Sequence, residues 1–394
     1  MRSLDDDHAG ARIKEQRKLA HLTQRELAAR IPYSYSLLNQ VECGARPATG
    51  AFVNAVAAAL GVDSTVLMGS SHVTGIQQAR VSALVRPIRE ALDLFDLDEP
   101  HMSQPCRPVT DLATAADEVC QDVRATHLRK AAKALPPLIR DLTLTVRTRP
   151  SKEAWQALAS AYRTAHDVAL KVGYRDLSTV ALDRMGWAAE RASDPCLAAI
   201  RQYKRALGHK TSGHELGRRL IQAGHDILDG ENSREALAVA GQLHLGASAV
   251  AARAGDTVAV ARHIAAAREL AERVGGEARE VHWLSFGQMN VALHELGAAI
   301  TLRQFDMALK LVRGISLPPS TLTSRRARFL VDRAVVEMET GHTDRALQHL
   351  IQARRAAPEQ TRYHPGTRDA ITGLLHTARR TPDTLNHMAA WIGL

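Results

Sequence analysis

The sequence predicts an all-α fold, and three observations support this prediction. Between residues 110 and 394, apolar runs of helical period alternate with short turns rich in Gly, Pro, Asp and Asn, and no stretch alternates like a strand. Aromatic residues make up only 4% of the chain, whereas the helix formers alanine, arginine and leucine are abundant. Near the N-terminus, capping residues mark the ends of two short helices. At 394 residues, the chain is long enough for two or three domains.

The first predicted helix covers residues 8–20. Its apolar residues Ile13 and Leu19 are expected to face the core, because the short helices that follow need apolar partners. The basic residues of this helix are expected to face outward: Arg12, Lys14, Arg17 and Lys18.

Residues 22–44 predict two short helices joined by a tight turn. Thr23 and Glu26 form a capping box at the start of the first of them. Pro32 is expected to end it, because proline disfavours the α conformation in the residue before it. Ser34 can cap the second helix, and a glycine provides its C′ stop. A fourth helix over 50–60 and a last short helix over 64–67 complete the small core.

Three runs carry a family resemblance: 22–28 (Leu-Thr-Gln-Arg-Glu-Leu-Ala), 40–44 (Gln-Val-Glu-Cys-Gly) and 57–62 (Ala-Ala-Ala-Leu-Gly-Val). Together they resemble the helix-turn-helix of the phage-repressor-like (Xre-type) regulators over residues 8–69. The resemblance implies a five-helix, repressor-like DNA-binding domain. One departure is the turn, where the family usually has glycine or a small residue and this chain has Pro32-Tyr33.

In that fold the second helix of the motif, residues 34–43 here, reads bases in the major groove. The resemblance places Tyr35, Ser36 and Asn39 on its outward face, and the Asn39 amide can pair with adenine. Gln24 matches a position that contacts phosphate and braces this helix, and other candidates for phosphate contact are Ser34, Gln40, Arg25 and Arg46. Alternatively, some of these side chains are simply solvated helix surface. Because one copy reads few base pairs, a homodimer on a two-fold operator is implied.

Residues 70–109 are predicted to be a linker with one amphipathic helix. Small and polar residues dominate 69–75, and proline-rich sequence covers 98–108. Between them, residues 76–95 have helical periodicity, with Pro87 expected to kink the helix. This helix is either a hinge or dimerisation element, or the first helix packed onto the C-terminal domain.

Residues 110–394 are predicted to form a domain of antiparallel helix pairs, because helices of about 12–20 residues alternate with short turns. The best internal match looks like a tetratricopeptide repeat, and weaker echoes of it indicate a tetratricopeptide-like α-solenoid. The matching positions are Leu330, Ala334, Gly341, Ala346, Leu350, Ala353 and Pro358.

Large side chains in this domain are candidates for a ligand or peptide pocket, although core packing is the stronger interpretation of aromatic residues in such helices. Chains that combine the two modules resemble signal-peptide-sensing regulators, which implies a sensor domain for a peptide, small-molecule or protein effector. The candidates are Trp155, Tyr162, Trp187, His282, Trp283, Phe286 and Asn290.

Composition and motif content exclude several classes. A formal net charge of +9 permits a polyanionic partner, but the charge is spread along the chain. No run of about 18 apolar residues predicts a membrane span. Four scattered cysteines, without metal spacing or a disulfide framework, fit a reducing cytoplasm. No nucleophile elbow, phosphate loop or metalloprotease motif occurs, so we expect no enzyme, no cofactor and no metal.

The favoured hypothesis is therefore a cytoplasmic transcription regulator that binds operator DNA and senses an effector. The alternative is an interaction scaffold or antitoxin-like module whose helix-turn-helix is a docking domain.

Overall fold

The computed structural model describes residues 8–62, 64–68, 75–97, 107–209, 213–377 and 382–393. Within these ranges the chain is helical and forms no strand, so the predicted all-α fold class is confirmed. An isolated β-bridge joins Ala278 and Phe286. None of the helices in these ranges has the length and apolar character that a bilayer span requires. Two compact units form: Met1–Gln78 with Ala389–Leu394, and Ala79–Met388.

The described part of residues 8–68 in the first unit forms five short helices, and capping residues set the starts of several of them. Thr23 and Glu26 form the predicted capping box, and the Ser34 side chain accepts a hydrogen bond from the Leu37 amide. Gly61 ends the fourth helix in the left-handed conformation. The helices are α1 (Ala9–Leu19), α2 (Gln24–Ala28), α3 (Tyr35–Glu42), α4 (Gly50–Leu60) and α5 (Ser64–Met68).

Among the described residues, ten buried apolar side chains form the core of the first unit: Ile13, Leu27, Ile31, Leu38, Val41, Phe52, Val53, Val56, Ala57 and Leu67. Two predictions for α1 are wrong. Leu19 is 65% exposed, because six residues at about 100° each turn it away from the face of Ile13. Arg17 is buried, because it lies one turn after Ile13 on the core face and has an acidic partner there.

The remaining helices follow in chain order, and the predicted linker segments 69–74 and 98–106 lie outside the described residues. The helices are α6 (Gly75–Asp93), α7 (Val109–Arg124), α8 (Leu128–Thr148), α9 (Lys152–Lys171), α10 (Arg175–Arg191), α11 (Pro195–Gly208), α12 (His214–Ile227), α13 (Arg234–Arg253), α14 (Thr257–Val274), α15 (Gln288–Thr301), α16 (Phe305–Gly314), α17 (Thr323–Glu339), α18 (Thr343–Ala356), α19 (Pro358–Tyr363), α20 (Pro365–Thr377) and α21 (Asp383–Ile392).

Helix α6 packs into the core of the second unit. Val85, Ile88 and Leu92 are buried there, and the Ser82 hydroxyl lies 2.6 Å from that of Tyr174. The sequence left open whether this helix is a hinge or dimerisation element or the first helix of the C-terminal domain. Its packing is that of a first helix of the helical domain. Pro87 lies inside α6.

Successive helices of the second unit pack as pairs, notably α9 with α10, α11 with α12, α13 with α14 and α17 with α18. In the last pair, Ala334, Ala346 and Ala353 are fully buried, which lets the two helices approach closely. The largest departure from helix pairs is the segment 275–287, which joins α14 to α15 without forming a helix.

A buried ion cluster joins three of these helices. The Asp167 carboxylate of α9 lies 3.0 Å from the Arg124 guanidinium of α7 and 2.6 Å from the Lys204 ammonium of α11. Burial alone would raise the pKa of Asp167, but Lys204 and Arg124 hold it well below its usual range.

The short helix α19 also closes back onto the start of the unit. Its Glu359 carboxylate lies 3.3 Å from the Arg129 guanidinium of α8, and its Gln360 amide oxygen accepts a hydrogen bond from the Lys171 ammonium of α9. These contacts tie helices that are far apart in sequence.

Gly241 in α13 leaves the space that the Phe286 ring occupies, so a larger residue there should destabilise the second unit. A Cβ atom at this position would lie 2.0 Å from Cζ of the buried Phe286 ring. Gly241→Ala should therefore lower the free energy of unfolding by about 1–3 kcal/mol through overpacking. Gly297→Ala in α15 is the matched control, since its Cβ would meet no atom within 4 Å. It should gain about 0.5–1 kcal/mol. Urea unfolding of the full chain measures both, and equal effects would contradict the packing argument.

His166 should make the second unit sensitive to acid. Its ring is buried in α9 with Nδ1 2.8 Å from the Ser178 hydroxyl, and burial lowers its pKa to about 4. Because the unfolded chain binds this proton near pH 6.5, the free energy of unfolding should fall as the pH drops from 6.5 towards 4. Urea unfolding at pH 7 and pH 5 should show a larger loss for the native chain than for His166→Asn. Identical losses would mean that His166 titrates normally.

Candidate nucleic-acid interface

Helix α3 has one buried face and one open face. Leu38 and Val41 fix the inner face in the core, and Leu37 packs partly against it. The side chains between them point outward: Tyr35 is 46% exposed, and Ser36, Asn39 and Gln40 are also exposed. The Gln40 side-chain amide lies 3.4 Å from the Ser36 hydroxyl, one turn earlier. Helix α3 therefore presents a row of exposed side chains with polar groups: Tyr35, Ser36, Asn39 and Gln40.

Gln24, the first residue of α2, connects to three side chains of α3. Its Nε2 donates to the Glu42 carboxylate at 2.7 Å and approaches Asn39 Oδ1 at 3.4 Å. Its Oε1 accepts from the Tyr35 hydroxyl at 3.3 Å. The Thr23 cap sets the start of α2 and thereby the position of Gln24. As a result, two of the outward side chains on α3 are held by a single residue of α2.

A buried ion pair fixes α3 against α1. The Arg17 guanidinium donates from Nε to Glu42 Oε1 at 2.7 Å and from an Nη to Oε2 at 2.8 Å. Its other Nη donates to the Leu22 carbonyl at 2.8 Å. The hydrogen bond that Arg17 donates to Glu42 raises the pKa of Arg17. This pair was not predicted from the sequence, although the one-turn spacing of Arg17 from Ile13 pointed to the core face.

The remaining candidate phosphate contacts surround this row. Ser34, Arg25 and Arg46 are exposed, on the N-cap of α3, on α2 and in the loop after α3. The Arg46 amide donates to the Gln40 carbonyl at 3.0 Å, which holds that loop against the end of α3. The structure thus gathers the eight predicted residues on α2, on α3 and at the flanks of α3.

The turn between α2 and α3 differs from the expectation for Pro32. Helix α2 already ends at Ala28, and the chain continues through hydrogen-bonded turns at Arg30 and Ile31. The Tyr33 ring then packs 5.0 Å from the Phe52 ring of α4. This turn is therefore anchored by an aromatic side chain.

The candidate ligand residues of the second unit fall into separate environments. Trp155 and Trp187 pack edge to face at 5.0 Å, and the Arg191 guanidinium lies 4.5 Å above the Trp187 ring. Tyr162 and Phe286 are fully buried core residues. Packing among core residues is the interpretation that the sequence favoured for aromatic residues in these helices.

The other three candidates make polar contacts. His282 Nε2 lies 2.6 Å from a Glu235 carboxylate oxygen, and the Trp283 indole approaches Asp117 at 3.3 Å. Asn290 is buried, bonds to the Gln242 amide at 3.0 Å and accepts a hydrogen bond from Arg325. The structure thus does not bring the seven candidates into one pocket. Asn290 lines a cavity of about 280 Å³ with Glu277, Arg279, Ser285, Met289, Leu293, Pro318, Ser320, Thr321, Leu322 and Arg325.

Comparison with known protein families agrees with the geometry of the first unit. Residues 8–68 match the family described as "Helix-turn-helix domain". Comparisons with curated proteins and with solved structures gave no significant match. The N-terminal segment is therefore a helix-turn-helix domain, with α2 and α3 as its two motif helices.

Removing one member of the buried ion pair should loosen the helix-turn-helix domain. Arg17→Ala leaves the Glu42 carboxylate buried without its cation, and we expect a loss of about 3–5 kcal/mol in the free energy of unfolding of this domain. The double variant Arg17→Met with Glu42→Leu should recover most of it. Hydrogen exchange of the α1–α4 amides in the full chain measures the loss. Equal destabilisation by the single and double variants would contradict the pairing argument.

Proposed function

We propose that this protein is a sequence-specific DNA-binding transcription regulator of the Xre type. The observation that carries the proposal is the open face of α3: Tyr35, Ser36 and Asn39 are exposed on a helix whose inner face and end are fixed. Such a helix enters the major groove without rearranging its own core. Its action rests on binding, and we propose no catalytic role for the chain.

The exposed groups have the chemistry that base reading needs. The Asn39 amide offers a donor and an acceptor together, which matches the N7 and N6 positions of adenine. The Ser36 hydroxyl can bond with several bases, and the Tyr35 ring can contact a thymine methyl or a phosphate. Around them, Gln24, Ser34, Gln40, Arg25 and Arg46 would contact the phosphate backbone and set the position of the helix.

A homodimer is part of the proposal. A single reader helix contacts only a few base pairs, whereas two copies on a pseudo-palindromic operator read twice as many. In the proposal, the second unit provides dimerisation and sensing, with its successive helix pairs arranged as tetratricopeptide-like repeats. The cavity beside Asn290 supports a small effector, since it combines apolar walls with the Arg325 cation, whose pKa burial lowers to about 10.

Replacing the base-reading amide should change both affinity and specificity. Asn39→Ala should weaken operator binding by about 1–3 kcal/mol and relax the preference at one base pair. Arg25→Ala is the matched control for a phosphate contact. It should weaken binding to all sequences alike and lower the slope of log K against log salt by about one. Binding of the full chain to a panel of single-base operator variants measures these effects. Unchanged sequence preference in Asn39→Ala would contradict the assignment of α3 as the reader helix.

The regulatory part of the proposal needs a separate experiment. The purified full chain should bind discrete sites in its own upstream region, and cell extract should raise or lower that binding. A genome-wide binding profile without discrete sites would instead favour the scaffold alternative. Discrete binding that extract leaves unchanged would contradict effector sensing.

A further inference from the structure

Four metal-ligating side chains converge in the second unit from distant parts of the sequence. Asp194 caps the N-terminus of α11, Cys196 lies in its first turn, and Glu235 lies in the first turn of α13. The ligand atoms of these three residues all lie within 4.8 Å of one another. The fourth residue, His282 in the segment 275–287, places Nε2 2.6 Å from a Glu235 carboxylate oxygen.

We propose that Asp194, Cys196, Glu235 and His282 bind a divalent transition metal ion, with Zn²⁺ as the ion that fits best. One sulfur, one imidazole nitrogen and two carboxylate oxygens form a ligand set that zinc accepts in tetrahedral geometry. Zinc bonds of about 2.0–2.3 Å hold neighbouring ligand atoms about 3–4 Å apart. The ligand atoms of Asp194, Cys196 and Glu235 are already close to these separations, and His282 completes the set from its position beside Glu235.

The electrostatics of the cluster favour a cation. Cys196 is buried, and its thiol is surrounded by acidic side chains. A divalent cation would neutralise the surrounding carboxylates and replace the thiol proton, so that Zn²⁺ and the thiol yield a zinc–thiolate bond and one released proton.

Hydrogen bonds outside the four ligands hold them in place. Asp194 accepts from the Gln156 amide at 2.7 Å and from the Leu197 backbone amide at 2.9 Å, which leaves each carboxylate oxygen a further lone pair. The buried Arg163 guanidinium donates to the His282 carbonyl. His282 itself has a φ of +45°, a conformation that non-glycine residues adopt only when their surroundings enforce it. Such supporting bonds orient the ligands of metal sites.

Metal binding would tie the segment 275–287 to α11 and α13. This segment also contributes Phe286 to the core and Ser285 to the wall of the cavity beside Asn290. Occupancy of the metal site would therefore stabilise one wall of that cavity. The inference does not depend on DNA binding, because the ligands and their supporting bonds lie within the second unit.

Titration of the reduced, metal-free full chain with Zn²⁺ and with Co²⁺ tests the proposal. We expect one metal ion per chain, and a thiolate-to-cobalt charge-transfer absorption for Co²⁺. Cys196→Ser should abolish that absorption and weaken Zn²⁺ binding by about 100-fold or more, since even changes outside the ligand set cost about 10- to 100-fold. Gln156→Leu, which removes a supporting bond to Asp194, should weaken binding by about 10-fold and keep the absorption.

Proton release provides an independent readout. Each bound Zn²⁺ should release about one proton at neutral pH, and its affinity should rise with pH, because the Cys196 thiol must deprotonate. Glu235→Gln keeps the thiol and should still release the proton while binding more weakly, which covers the case in which Cys196→Ser fails to fold.

A separate cluster of three histidines provides the control for metal binding at the proposed site. The Nδ1 atoms of His244 and His263 lie 3.1 Å apart, and the His225 ring packs at a tilt against the His244 ring with centroids 4.5 Å apart. His244→Gln should leave Zn²⁺ affinity at the proposed site unchanged. Loss of binding in His244→Gln alone, wild-type affinity in both Cys196→Ser and Glu235→Gln, or no Zn²⁺ binding by the native chain would each overturn the proposal.

Discussion

The bidentate contact between Arg17 and Glu42 determines where α3 lies in the helix-turn-helix domain. Apolar contacts among five short helices are non-directional, so they leave small rotations of α3 nearly equal in free energy. A buried guanidinium and carboxylate are costly unless their geometry is satisfied, and this pair is satisfied with the Leu22 carbonyl and Gln24 as further partners. The pair thus fixes the positions of α1, α2 and α3 relative to one another. It thereby sets the direction in which the outward face of α3 points.

Directional contacts among charged groups also organise the second unit. Asp167 joins α7, α9 and α11 through Arg124 and Lys204. The helices of this unit are rich in alanine, and alanine surfaces pack closely but distinguish poorly between alternative neighbours. Buried ions supply that discrimination, because a helix displaced by one turn would leave a charge without its partner. Apolar packing and ion pairing thus have separate effects: the first provides most of the stability, and the second specifies which helices meet.

Most features set by neighbouring residues were predicted from the sequence, whereas features that depend on distant residues were missed. The caps at Thr23 and Ser34 set the helix starts correctly, because each acts within three or four residues. Arg17 was assigned to the surface because its burial requires an acid 25 residues away. The candidates for base contact were located through the motif. The shape of the segment 275–287 was not predictable, since contacts with distant helices hold residues such as His282 in left-handed conformations.

Helix α19 contacts α8 and α9, so that the contacts between the helices of the second unit form a closed ring. An open array of repeats has two free ends, so it frays from either end and passes a perturbation only to its nearest neighbours. Here Lys171 and Gln360 are 189 residues apart, and Arg129 and Glu359 are 230 apart, yet each pair is joined. A displacement of one helix pair can therefore affect its neighbours in both directions along this ring of contacts. If one contact between helices opens, the helices next to it are still held by their other contacts. The unit should behave as one cooperative body.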